Sequence, residues 1–129
     1  ARLAGRKVLH IYQYDPLERV DLSKGIEKFD HWWQPAVVRH PATGKPALYV
    51  NQLMSALFEG LSQEESREIL EELWEINGRR DIVYEHVWRV GDLVIWDNRC
   101  STHARTDFPT DQTRLMRRCT VAGAPMVVA

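Results

Sequence analysis

The densest concentration of reactive side chains lies between Trp96 and Gly123, in the run WDNRCSTHARTDFPTDQTRLMRRCTVAG. His103 follows an apolar stretch and a polar turn. An imidazole so placed can face a cavity, and neutral imidazole is a common metal ligand. The same position also suits a surface or hydrogen-bonded loop histidine. Downstream, residues from about Arg114 to Ala122 read as the last strand of the chain. Side chains alternate along a strand, so Arg114, Met116, Arg118 and Thr120 would share one face, with Leu115, Arg117, Cys119 and Val121 on the other. Arg114 and Arg118 would then point the same way, about 13 Å apart at ~3.3 Å per residue. Two guanidiniums on one face repel unless anions lie beside them, and arginine holds carboxylates and sulfonates through paired planar donors. Such a face could bind two different anions, or it could be the solvated side of an edge strand.

These residues need elements to carry them. Lys7–Tyr14 is β-prone and is broken by Asp15-Pro16; Glu27–Trp33 is compatible with a short helix ended by Pro35. Ala36–Arg39 and Ala47–Val50 read as short strands. Between them, His40-Pro41 and Thr43-Gly44-Lys45-Pro46 mark a turn. The clearest helix follows. Ser62 is a good N-cap, Glu65 completes a capping box, Ile69, Leu70, Leu73 and Ile76 form an apolar stripe, and Asn77-Gly78 ends it. Glu64, Glu65, Glu68, Glu71, Glu72 and Glu75 make its wet face. Ile82–Trp88 is β-rich, Val90-Gly91-Asp92 is a turn, and Leu93–Trp96 (LVIW) has the composition of a buried strand. Short strands joined by turns, with one helix inserted, predict a mainly β fold of the sandwich or jelly-roll kind.

Bulk properties narrow the field. The 129 residues, 44% apolar and 27% charged, suit one domain or part of one. The net charge of −1 and the lack of a basic tract do not suggest nucleic acid. No apolar run approaches the roughly 18 residues a membrane helix needs. Cys100 and Cys119 match no zinc spacing and no disulfide framework, which leaves a reducing, cytoplasmic setting as the default. No signal-peptide pattern opens the chain at Ala1.

Taken in order, these motifs resemble the taurine dioxygenase and 2,4-dichlorophenoxyacetate dioxygenase family. The resemblance rests on VVRHP (Val37–Pro41) with Thr43-Gly44-Lys45, and ALYVN ending at Asn51. It continues through Gly60-Leu61-Ser62 with Glu65-Ser66, and Trp88-Arg89 with Gly91-Asp92. It ends in WDNRC, then His103, then arginines 11 and 15 residues further on. It covers roughly residues 36–125, and residues 1–35 match loosely. The resemblance implies part of a double-stranded β-helix (jelly roll), and an Fe(II)- and 2-oxoglutarate-dependent enzyme that uses O2 to hydroxylate a small anionic substrate. That substrate would be a sulfonate, a sulfate ester or a carboxylate. It implies His103 as the distal histidine of a two-histidine, one-carboxylate iron site. Arg114 would be the partner of the far 2-oxoglutarate carboxylate, and Arg118 the partner of the substrate anion. Asn51 and Met54 would line the substrate pocket; many members have an aromatic residue near position 54, where Met54 gives a softer wall. Trp96, Asp97, Asn98 and Arg99 would brace the turn that presents His103.

One part of the family pattern is absent. His10, His31, His40, His86 and His103 are followed two residues later by Tyr12, Trp33, Ala42, Trp88 and Arg105, so none begins a His-x-Asp or His-x-Glu pair. The expectation is that residues 1–129 are the C-terminal part of one dioxygenase domain, with the other two ligands before Ala1. The remaining histidines read as turn, packing or surface residues, and Trp32-Trp33 as a core or interface anchor. The rival reading is a catalytically inert fragment or binding module, since one ligand cannot build a tight iron site. Family members are often oligomeric.

Overall fold

A computed structural model of the protein describes residues 3–12 and 20–129. Tyr14 and the Asp15-Pro16 break lie outside the described residues. The first ordered strand is β1 (Lys7–Ile11). It pairs antiparallel with β2 (His31–Pro35) and with β5 (Ser55–Phe58), forming a sheet of order β2-β1-β5. The β1–β5 ladder shifts register between Leu9 and His10, one residue before His10 meets Ser55. A second sheet, of order β4-β3-β6, joins β3 (Val37–Arg39), β4 (Pro46–Leu48) and β6 (Val127–Val128). The turn between β3 and β4 is closed by Gly44 at φ +69°, and the His40 and Gly44 amides close hydrogen bonds to the Lys45 and His40 carbonyls.

One α-helix, α1 (Gln63–Asn77), packs on β5. Its start follows the expectation closely. The Ser62 hydroxyl accepts from the Glu65 amide, and the Glu65 carboxylate accepts from the Ser62 amide. Its end is at Asn77, capped by Gly78 at φ −85°, which is ordinary helical-side backbone rather than a left-handed cap. The core gathers Val8, Ala36, Val50, Phe58, Ile69 and Leu70, with Leu73 and Trp74 packed against it. Fully buried Ser66 ties helix to sheet, because its hydroxyl accepts from the Phe58 amide at 2.9 Å. Ile76, expected on the apolar stripe, is 46% exposed. The buried arc is centred on Ser66, Leu70 and Leu73, and Ile76 lies beyond its edge at 100° per residue.

Several expected elements are not formed. Glu27–Trp33 is not a helix: a 3-10 turn at Ile26–Lys28 gives way to β2, which contains Trp32 and Trp33. A seven-residue helix is marginal in water, and aromatic residues gain more from the pleated surface beside β1. Ala47–Val50 is shifted to Pro46–Leu48, and β5 was not anticipated, being four residues flanked by turns. Ile82–Trp88, Leu93–Trp96 and Arg114–Ala122 form no strand; Leu93, Ile95, Leu115 and Val121 are exposed. Alternation assigns faces but not partners, and a strand needs a neighbour to take its amides and carbonyls. No described strand runs alongside these segments. Among the described residues, the chain beyond α1 returns to the sheets where Asp97 meets His40 and where β6 pairs with β3. Among the described residues no helix is long and apolar enough to cross a membrane.

Candidate functional site

The turn that leads to His103 is heavily cross-linked. The Cys100 and Ser101 amides and the Ser101 hydroxyl all donate to the Asp97 carbonyl. The Asp97 carboxylate accepts from the Arg99 amide at 2.9 Å and from Arg99 Nε at 2.8 Å, with Nη2 of the same guanidinium on its second oxygen. That second oxygen also faces His40 Nε2 at 3.0 Å. The Arg99 fork, followed by His40, holds the Asp97 carboxyl well below the usual carboxylate range. Trp96 Nε1 donates to Asn98 Oδ1 at 2.7 Å. The Trp96 ring lies 4.8 Å from the His103 ring, tilted by 49°. Four consecutive residues, Trp96 to Arg99, thus build the turn and place an aromatic wall against the imidazole.

His40 is 8% exposed. The Thr43 amide donates to its Nδ1 at 3.2 Å, and the Thr43 hydroxyl lies 3.1 Å from the same nitrogen. An amide can only donate, so Nδ1 is the acceptor, and the proton of the neutral ring sits on Nε2, facing Asp97. His40, Asp97 and Cys100 are the one group of three metal-ligating side chains among the described residues. The hydrogen bonds argue against a metal there. His40 Nε2 carries the proton and both Asp97 oxygens are engaged by donors. The cluster is a brace.

The residues read from the sequence as chemistry-bearing are not assembled into one cavity. His103, Arg114 and Arg118 are all exposed. The Arg114 guanidinium lies 5.9 Å from the centre of the Phe108 ring, which Arg105 also approaches at 5.3 Å. Asn51 and Met54 stand on the turn before β5. The Asn51 side-chain oxygen accepts from the Leu53 and Met54 amides, and the Met54 carbonyl accepts from the Ile11 amide. An open groove of about 510 Å³ runs between α1 and β3, lined by Leu3, Val37, Pro46, Ile69 and Leu73; Asn51, Met54, His103, Arg114 and Arg118 do not line it. Among the described residues His103 belongs to no group of three metal-ligating side chains, so these residues alone do not fit a three-ligand iron site.

Two histidine placements were not legible in the sequence. His86, read as packing or solvated, is half-buried, with Nε2 3.1 Å from Asp92 and its ring edge-on to Trp88. His10 is 6% exposed between Ser55 and the Tyr49 ring, and burial pushes its pKa down against an opposing backbone contact from Tyr49. The His40–Asp97 pair spans 57 residues, so no local pattern announces it.

The overall arrangement, mainly β with one helix, resembles a solved structure. It matches a crystal structure of AAD-2 in complex with Mn(II) and N-oxalylglycine with a TM-score of 0.55 and 24% identity, over 68% of this chain and 36% of that one. The sequence profile of the family described as taurine catabolism dioxygenase TauD, TfdA family matches residues 1–120, and the chain belongs to that family. Among its relatives is the alpha-ketoglutarate-dependent 2,4-dichlorophenoxyacetate dioxygenase of Cupriavidus pinatubonensis. It is 41% identical over 86 residues, 67% of this chain and 30% of the relative. Another is an alkylsulfatase of Acinetobacter baylyi, 36% identical over 111 residues, 86% of this chain and 33% of the relative. The chain therefore spans about a third of the length of the curated relatives it matches.

Proposed function

We propose that this chain is the C-terminal part of a cytosolic Fe(II)- and 2-oxoglutarate-dependent dioxygenase that hydroxylates a small anionic substrate with O2. The observation that carries the reading is the family match over residues 1–120. In this reading the complete domain closes a double-stranded β-helix. Its remaining polypeptide supplies a second histidine and a carboxylate, and lays strands beside Leu93–Trp96 and Arg114–Ala122, whose apolar side chains are exposed here. His103 is then the distal metal ligand, Arg114 the partner of the far carboxylate of 2-oxoglutarate, and Arg118 the partner of the substrate anion, with Asn51 and Met54 near the substrate. When bound, iron and 2-oxoglutarate supply the oxidising chemistry; the protein's share is charge and placement. Arginine suits that task because its planar fork fits carboxylate, sulfonate or sulfate and stays charged at every working pH.

For the substrate we favour an aryloxy or alkyl acid or a sulfate ester. One relative carries the name of a 2,4-dichlorophenoxyacetate dioxygenase and another that of an alkylsulfatase, and both chemistries present an anion to Arg118. A screen of aryloxy acids, alkyl sulfates, sulfonates and uncharged analogues of each with the complete protein, scored by succinate release, tests this. Release driven by at least one of these anions is the expected result; release only with uncharged compounds would remove Arg118 from its role.

A second reading is favoured by one specific observation: among the described residues, His103 belongs to no group of three metal-ligating side chains. On it, the 129-residue chain by itself is inert toward iron. The two readings agree for the isolated chain and differ for the complete protein.

A further inference from the structure

Two turns that lie far apart in sequence are held as one unit. The β3–β4 turn carries His40 and Thr43, and the turn after residue 96 carries Asp97 to Ser101. A directed relay connects them. The Lys45 amide donates to the Thr43 hydroxyl at 3.3 Å, and that hydroxyl donates to His40 Nδ1. His40 Nε2 donates to Asp97, whose carbonyl in turn collects three donors from Cys100 and Ser101. Each member has one role, because the Thr43 amide at Nδ1 leaves His40 no other tautomer. His40 is nearly buried, whereas the turn it grips is surrounded by exposed chain. Among the described contacts, the next tie of this region to the sheets is β6.

We propose that His40 is a positioning residue: through its Nε2–H it fixes Asp97, and through Asp97 it fixes the turn and the Trp96 ring against which His103 rests. The inference rests on the dioxygenase reading for its final step, the metal, but not for the brace itself. Arg99 already satisfies most of the Asp97 carboxylate, so the particular contribution of His40 is location. Arg99 moves with the turn it belongs to, and His40 belongs to the sheet.

The test compares His40→Ala with His40→Gln, whose side-chain amide can still donate to Asp97. In the 129-residue chain, 15N spectra of the histidine ring should show the Nε2–H tautomer at position 40. His40→Ala should speed amide exchange at Arg99, Cys100 and Ser101 about tenfold, while amides in the second half of α1 stay unchanged. His40→Gln should restore most of the protection. In the complete protein with 2-oxoglutarate, His40→Ala should weaken Mn(II) binding about 10-fold or more, the scale of outer-shell substitutions at metal sites, and His40→Gln should stay within about threefold of wild type. An Nδ1–H tautomer, or unchanged exchange at residues 99–101 in His40→Ala, would overturn the proposal. So would full Mn(II) affinity in a His40→Ala protein whose turn has loosened. If the wild-type complete protein bound no Mn(II), the dioxygenase reading would fall, and the exchange comparison would still decide the brace.

Discussion

Replacing Ser66 with alanine isolates one hydrogen bond between α1 and the central sheet. Ser66 is fully buried, and so is Phe58, whose amide donates to the Ser66 hydroxyl at 2.9 Å. Phe58 lies opposite Val8 in the β5–β1 ladder and the next amide, Glu59, donates to the Lys7 carbonyl, so by antiparallel alternation the Phe58 amide points away from β1, off the edge of the sheet. Ser66→Ala therefore strands a buried N–H, at a cost of about 1–3 kcal/mol. Alanine is the better helix former and returns up to about 0.5 kcal/mol. The vacated hydroxyl is too small to admit a water, since a water needs roughly 10–15 Å³ and two or more polar partners. The net expectation is a loss of about 1–2 kcal/mol. Urea unfolding of the chain, followed by tryptophan fluorescence, would register it as a midpoint lowered by roughly 1 M at a slope near 1.5 kcal/mol/M. The slope itself should not change. A midpoint moved by less than about 0.2 M would mean that the Phe58 amide finds another acceptor, and that the helix is not tied to the sheet as described.

Two further expectations follow from particular side chains. Burial lowers the His10 pKa, so the unfolded chain takes up its proton first as pH falls. Stability should be constant above about pH 6.5, decline below it until the folded form also protonates, and the decline should flatten in His10→Asn. Asp97, whose pKa is also lowered, adds its own loss only below about pH 4, which keeps the two windows apart in urea midpoints measured from pH 8 to 3. Ser62→Ala removes the hydroxyl that accepts from the Glu65 amide, leaves the Ser62 amide on the Glu65 carboxylate, and should cost about 1 kcal/mol in the same assay; an unchanged midpoint would show that the hydroxyl cap is idle.

What could be read from the sequence was local. The capping box at Ser62 and Glu65 depends on four consecutive residues, and it stands as expected. The Thr43-Gly44 turn needs a residue that tolerates positive φ, and Gly44 supplies it. Trp32 and Trp33 were misread because a short window could not show that β1 lies alongside them. Residues 93–96 and 114–122 were read as strands from their composition and form none here, because a ladder is a property of two segments and no described strand lies beside them. The same limit applies to the site. The order of the motifs pointed to the family that the profile match shows, whereas His103, Arg114 and Arg118 stand exposed and in no common cavity here. Conversely, the link from His40 to Asp97 came from tertiary packing and could only be seen once both turns were placed.

The central claim is that His103 is the distal metal ligand of a 2-oxoglutarate dioxygenase. It is tested most directly by the rate of 2-oxoglutarate decarboxylation in the complete protein supplied with Fe(II), compared with its His103→Ala variant. The account predicts turnover in the first and its loss, by at least about a thousandfold, in the second with the fold intact. Wild-type rates in the variant would contradict it.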